Sequence, residues 1–165
     1  MILNWLAAGD VPRVVAVVRE AAARARRDPA TVEITARLLV NVDPPGAPAD
    51  VGVRRHVTAY LNVPVYRAYQ EWLGRGAELA PMWQAWERGD RKGAVGAVPE
   101  RVLRDLIVRG ETSEIRAHVQ RYLDAGIDTA FLQVSTLEAD PARRRQMLLD
   151  ALRALAPKPP EGPRS

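Results

Sequence analysis

The chain has 165 residues, 47% of them apolar, two histidines and no cysteine, which is enough apolar material for one core but excludes a disulfide framework and a thiolate metal site. Its 24 basic residues are interleaved with 20 acidic ones, so the net charge of +4 and the pI near 9.9 reflect arginine content, not a basic stripe for nucleic acid. The apolar run Met1–Leu6 falls far short of the roughly 18 residues of a membrane span, and no charged leader with an apolar centre is present, so a cytoplasmic protein without a membrane anchor is expected.

In chain order, Met1-Ile2-Leu3-Asn4-Trp5-Leu6 reads as a strand. Asp10 is placed to cap a helix running through Arg27, with Pro12 in its first turn and Val11, Val14, Val15, Val18, Ala22 and Ala25 on one face. Asp28-Pro29 stops it. From Val32 to Val42, Val32, Ile34, Ala36, Leu38, Val40 and Val42 alternate with Glu33, Thr35, Arg37, Leu39 and Asn41, a period of two that predicts a strand. Its apolar face would pack under helices and its polar face would point into a barrel.

Asp43 to Pro48 reads as a loop. Helical pattern follows from about Asp50, breaks near Asn62-Val63-Pro64 and resumes to Trp72-Leu73 with Gly74 as a stop; a further short helix carries Met82, Trp83 and Trp86. Pro99 opens another helical turn, and Leu106-Ile107-Val108 reads as its end or as a short strand. Thr112 is placed to cap the next helix, which closes at Ala125-Gly126. Thr129–Val134 reads as a buried strand, Asp140-Pro141 opens a last helix to about Leu155, and 157–165, rich in proline and charge, reads as disordered. Strands alternating with helices predict an α/β fold with a parallel sheet and crossover helices.

Several segments, taken in order, resemble the luciferase-like monooxygenase superfamily, in particular its flavin- or deazaflavin-dependent oxidoreductases. They are the opening Ile2-Leu3-Asn4-Trp5-Leu6, the strand Ala36–Val42, and the stretches HVTAYLNVPVYRAYQEWLGRG, MWQAWERGDRKGAVGAVPERVLRDLIVRG and VQRYLDAGIDTAFLQV. The resemblance implies the C-terminal portion of a (β/α)8 TIM barrel, an incomplete barrel in which residues 1–156 supply strands six to eight and a helical excursion, since a whole barrel takes about 250 residues. It implies an oxidoreductase, of monooxygenase type or transferring a hydride to a small organic substrate, that uses flavin mononucleotide (FMN) or the deazaflavin coenzyme F420. As a fragment it is expected to be incomplete as a catalyst alone. Open strand edges imply self-association or pairing with a separate N-terminal half.

On that template the cofactor candidates are residues at strand ends or on the inward face: Asn4, Trp5, Arg37 and Asn41. Arg37 could meet an anionic cofactor tail or a carboxylate, or pair with Glu33 across the same face. Tyr60 and Tyr66 are candidates to line the substrate pocket. His56 is a weaker candidate for acid or base work, the more common role of such a histidine being surface or packing; His118 reads as surface. No metal ligands are assigned. A non-catalytic helical module that binds a partner protein through its aromatic excursion is the competing reading.

Overall fold

The computed structural model describes residues 1–44 and 47–157, which form one parallel sheet and eight helices. The elements are β1 (Ile2–Leu3), α1 (Val11–Arg24), β2 (Thr35–Asn41), α2 (Ala47–Leu61), α3 (Pro64–Trp72), α4 (Gly76–Glu87), α5 (Arg91–Gly96), α6 (Glu100–Leu106), β3 (Ile107–Val108), α7 (Thr112–Asp124), β4 (Thr129–Ser135) and α8 (Pro141–Leu155). Of the tail expected to be disordered, 158–165 lies outside the described residues. No described helix is long and apolar enough to cross a membrane.

β2 organises the sheet. β4 pairs along its whole length, from Thr35 opposite Thr129 to Asn41 opposite Ser135. The other edge is shared: β1 takes its lower part, Ile2 opposite Thr35, and β3 its upper part, Leu39 opposite Ile107. The sheet is open, as expected for a partial barrel. Leu106-Ile107-Val108 satisfies both of its readings, because α6 ends at Leu106 and the chain extends at once into β3.

The alternation of β2 sorts two cores. Ile34, Ala36, Leu38 and Val40 pack outward with Leu3, Val11, Val14, Ile115 and Tyr122 under α1 and α7. On the opposite face Leu39 and Ile107 meet Val53, Val57, Leu61, Met82, Trp83 and Val102, so the helical excursion roofs the upper half of the inner face. The lower half is bare: Ile2 is 68% and Phe131 56% exposed.

Several boundaries differ from expectation for local reasons. β1 is two residues long, not six, because Trp5 turns the chain away with a φ of +54°. β2 begins at Thr35 instead of Val32 because Pro29–Thr31 form a 3-10 turn capped by Asp28, whose carboxylate accepts from the Ala30 N–H at 2.9 Å. α1 stops at Arg24, short of Arg27, where Arg26 takes a φ of +57°. Asp10 does not cap α1. Glu111, not Thr112, stands at the N-cap of α7, and its N–H donates to Glu114 Oε2 at 2.7 Å. The expected loop at 43–48 ends early, since α2 is already helical at Ala47.

Tyr122 links the two sides of the fold. Its hydroxyl lies 2.8 Å from the Leu6 carbonyl and 3.2 Å from that of Asp105, and it is buried, which pushes its pKa up. One hydroxyl proton serves one acceptor, and the shorter contact takes it. Tyr122→Phe is expected to lower the unfolding free energy by about 1–2 kcal/mol in urea titration, the cost of leaving a buried carbonyl unpaired.

Candidate functional site at the upper ends of the strands

The site is built on the turn at Trp5. A left-handed conformation costs a non-glycine residue roughly 1–2 kcal/mol, so the surroundings must hold it. They do so through a buried polar chain. Gln70 Nε2 donates to the Trp5 carbonyl at 2.5 Å, Arg75 Nη1 donates to Gln70 Oε1 at 3.2 Å, and Arg75 Nη2 lies 2.6 Å from Asp10 Oδ2. The same Asp10 oxygen accepts from the Ala7 N–H at 2.7 Å. Asp10 therefore serves a tertiary ion pair where the sequence reads as a helix cap. Gly74, at a φ of +92°, makes the reversal after α3 that brings Arg75 back beneath Gln70.

Held this way, the indole of Trp5 is buried under an aromatic cluster. Its ring centroid lies 4.8 Å from Tyr60, 5.7 Å from His56 and 6.2 Å from Tyr66. Tyr60 in turn lies 4.9 Å from His56 and 5.8 Å from Tyr66. His56 and Tyr60 are one turn apart on α2 and so share a face, while Tyr66 sits in the first turn of α3 after the break at Pro64. All pairs are tilted, as ring quadrupoles favour.

Beside this cluster lies the polar part of the inner face. A cavity of about 130 Å³ is lined by Leu39 and Asn41 of β2, Gln133 and Ser135 of β4, and Gly52 and His56 of α2. Gly52 lets the helix approach here, since a Cβ at that position would stand 2.1 Å from Leu137 Cδ1. Burial, then the charge of Arg37, lowers the pKa of His56, so its imidazole is neutral at neutral pH. Asn41 donates through Nδ2 to Asp43 at 2.8 Å, and Ser135 Oγ donates to the Val40 carbonyl at 3.0 Å.

Five buried side-chain polar atoms lack a partner among the described residues, and three of them, Trp5 Nε1, Arg37 Nε and Asn41 Oδ1, belong to this region. Buried polar groups are normally satisfied, so their concentration here sets this region apart from the rest of the chain. Arg37 is not paired with Glu33, which instead accepts from Thr129 Oγ1 at 2.8 Å.

Of the residues expected from sequence, Trp5, His56, Tyr60 and Tyr66 are brought into one cluster, with Arg37 and Asn41 next to it. Asn4 is half-buried and neither lines the cavity nor makes a side-chain hydrogen bond among the described residues. His118 is not a surface residue. It is half-buried and stacked on Tyr122 at 5.7 Å, and burial, with the charge of Arg121, pushes its pKa down to about 4. Sequence reading missed Gln70, Arg75 and Asp10, whose link to Trp5 has no local signal. It also missed Gln133 and Ser135, which the alternation of β4 does place on the same face as Phe131.

Asp43 fastens the two long strands at the mouth. It accepts from Thr136 Oγ1, from Asn41 Nδ2 at 2.8 Å and from the Leu137 N–H at 2.8 Å. Burial alone would raise its pKa; the hydrogen bonds from Thr136, Asn41 and Leu137 and the charge of Arg109 outweigh it and leave the carboxyl below its usual 3.8.

Two outcomes follow from this geometry. Arg75→Met is expected to destabilise the chain by about 3–5 kcal/mol in urea unfolding, because it strands a poorly exposed Asp10 carboxylate, and adding Asp10→Leu should restore part of the loss. The stabilisation from Asp43 is fully present above the unfolded pKa and is lost as pH falls through the lower folded value. Below about pH 4, wild type should therefore lose stability that Asp43→Asn does not lose, as followed by thermal unfolding at a series of pH values.

Residues 1–129 match the family of luciferase-like monooxygenases. No curated protein sequence matches the chain. Among solved structures it is similar to the coenzyme F420-dependent tetrahydromethanopterin reductase from Methanopyrus kandleri, at 19% identity and a TM-score of 0.61 over 91% of this chain and 42% of that one. It is also similar to an F420-dependent secondary alcohol dehydrogenase in complex with an F420-acetone adduct, at 16% identity and a TM-score of 0.55 over 94% of this chain and 42% of that one. The chain thus spans less than half the length of either structure, and at these identities the likeness shows the fold. The partial parallel sheet, its helical excursion and the matched residues together place the chain in the luciferase-like monooxygenase family.

Proposed function

We propose that residues 1–156 form the C-terminal part of a flavin- or deazaflavin-dependent oxidoreductase barrel, carrying its sixth to eighth strands. Trp5, Arg37 and Asn41 are its cofactor contacts, and Tyr60 and Tyr66 form the substrate wall. The observation that carries this reading is the set of three unpartnered buried polar atoms on the inner face, next to an aromatic wall. Two are donors, Trp5 Nε1 and Arg37 Nε, and one is an acceptor, Asn41 Oδ1; a flavin-type ring, with carbonyl oxygens and a ring N–H on one edge, suits such a set. Both similar structures are F420-dependent enzymes, which supports the deazaflavin coenzyme beside FMN.

Such a cofactor, when bound, supplies the hydride chemistry, and the protein supplies orientation and electrostatics. Arg37 contributes a fixed positive charge and a hydrogen bond that orients the ring. The Trp5, Tyr60 and Tyr66 rings exclude water from one side. His56, neutral at neutral pH, can take a proton at a ring nitrogen beside that wall and return it afterwards.

A cavity of about 130 Å³ is well below the roughly 300–1,000 Å³ of a small-molecule site, and the bare Ile2 and Phe131 mark where the wall stops. The rest of the wall comes from further sequence, a separately encoded N-terminal half or a second copy. The test is a fluorescence titration with FMN and F420, of the chain alone and of the chain combined with the N-terminal half of a family barrel. Saturable binding, weakened about ten- to a hundred-fold in Arg37→Ala for the loss of a charged hydrogen bond, is expected. Binding that Arg37→Ala leaves unchanged, or no binding in either setting, would sink the proposal.

A further inference from the structure

A further cavity lies away from the strand ends, on the flank of α2 opposite His56 and Tyr60. It measures about 730 Å³ and is formed where α2 meets α4 and α5. Its floor is apolar: Val51 of α2, Trp86 of α4 and Val95 of α5. Its rim is cationic, with Arg54 and Arg55 on one side and Arg91 and Lys92 on the other, and no acidic side chain lines it.

The four cations are not equivalent. Arg54 is held in place by the Val98 carbonyl at 2.6 Å and by Glu100 at 2.5 Å. Arg91 lies over the Trp86 ring, 3.8 Å from its centroid, and donates to the Trp86 carbonyl. Arg55 and Lys92 have no carboxylate partner among the described residues, and they line the groove from different helices, α2 and α5. Two unneutralised cations above a greasy floor, in a volume within the range of small-molecule sites, complement a ligand with an apolar body and a negative head.

The floor also selects the body. Stacking a nucleobase would need a free aromatic face, and a face of Trp86 is already covered by Arg91; the other apolar side chains of the groove are aliphatic. We infer that this groove binds a small aliphatic anion of the fatty-carboxylate class, with its chain along Val51 and Val95 and its head between Arg55 and Lys92. The site is separate from the cofactor region and does not depend on the oxidoreductase reading.

The experiment uses the full chain and decanoate, below its micelle concentration, in a proton–nitrogen correlation titration. The Trp86 indole signal is assigned by Trp86→Phe. Decanoate should shift that signal and the Val51 and Val95 amides saturably, with decanol at least ten-fold weaker. The double variant Arg55→Glu/Lys92→Glu, two changes on exposed helix surface, should weaken decanoate at least ten-fold and leave the rest of the spectrum in place. Equal affinity for decanoate and decanol, or indifference to the double variant, would overturn the inference. So would shifts centred on Ile2 and Phe131, which would place the ligand on the bare sheet face. Shifts at Trp86 produced by adenosine monophosphate or by an acidic amphipathic helical peptide, but not by decanoate, would reassign the groove to a nucleotide or a protein partner.

Discussion

The ion pair of Asp10 and Arg75, relayed by Gln70 to the carbonyl of Trp5, is the constraint on which the rest of the arrangement depends. It stabilises a backbone conformation that a tryptophan would not otherwise keep, and by turning the chain away after Leu3 it frees the upper edge of β2. β3 occupies that edge, and with β3 comes α6 and the attachment of the helical layer to Leu39. The same turn carries Leu6 to the hydroxyl of Tyr122, which anchors the outer helices. A single buried charge pair thus sets where one strand stops, where another begins, and which way an indole faces.

The long strands were legible in the sequence because period two has no competing interpretation over β2, and the sidedness it predicts for Arg37, Leu39 and Asn41 is the sidedness observed. Short-range signals failed where a distant group used the same residue. Asp10 before Pro12 has the spacing of a cap, yet its carboxylate is taken by an arginine 65 positions away. No helix is read between Trp86 and Pro99, but Asp90 accepts from the Gly93 N–H at 2.7 Å and the short helix α5 forms there. The aromatic cluster was legible as an aromatic-rich excursion; that Trp5 joins it from near the start of the chain has no signal in the sequence.

The site is a half-wall in a physical sense. Its donors and acceptor are fixed on β2 and on the braced turn after β1, and its aromatic side is fixed on α2 and α3, so its geometry is set mostly by regular elements. The opposite side is absent at Ile2 and Phe131, two apolar residues that barrel closure would bury. On the proposed function, closing the wall would bury apolar surface and complete the ligand cage in one step, so assembly and cofactor binding would reinforce each other.

Three of the four tryptophans carry a guanidinium over the ring: Arg13 on Trp72 at 4.2 Å, Arg67 on Trp83 at 4.7 Å and Arg91 on Trp86 at 3.8 Å. Trp5, in contrast, is roofed by tyrosines and a histidine. Planar guanidinium groups stack on indoles in a way that an ammonium does not, which suits arginine to these three positions. Removing one of these arginines would therefore bare an indole face to water as well as delete a charge.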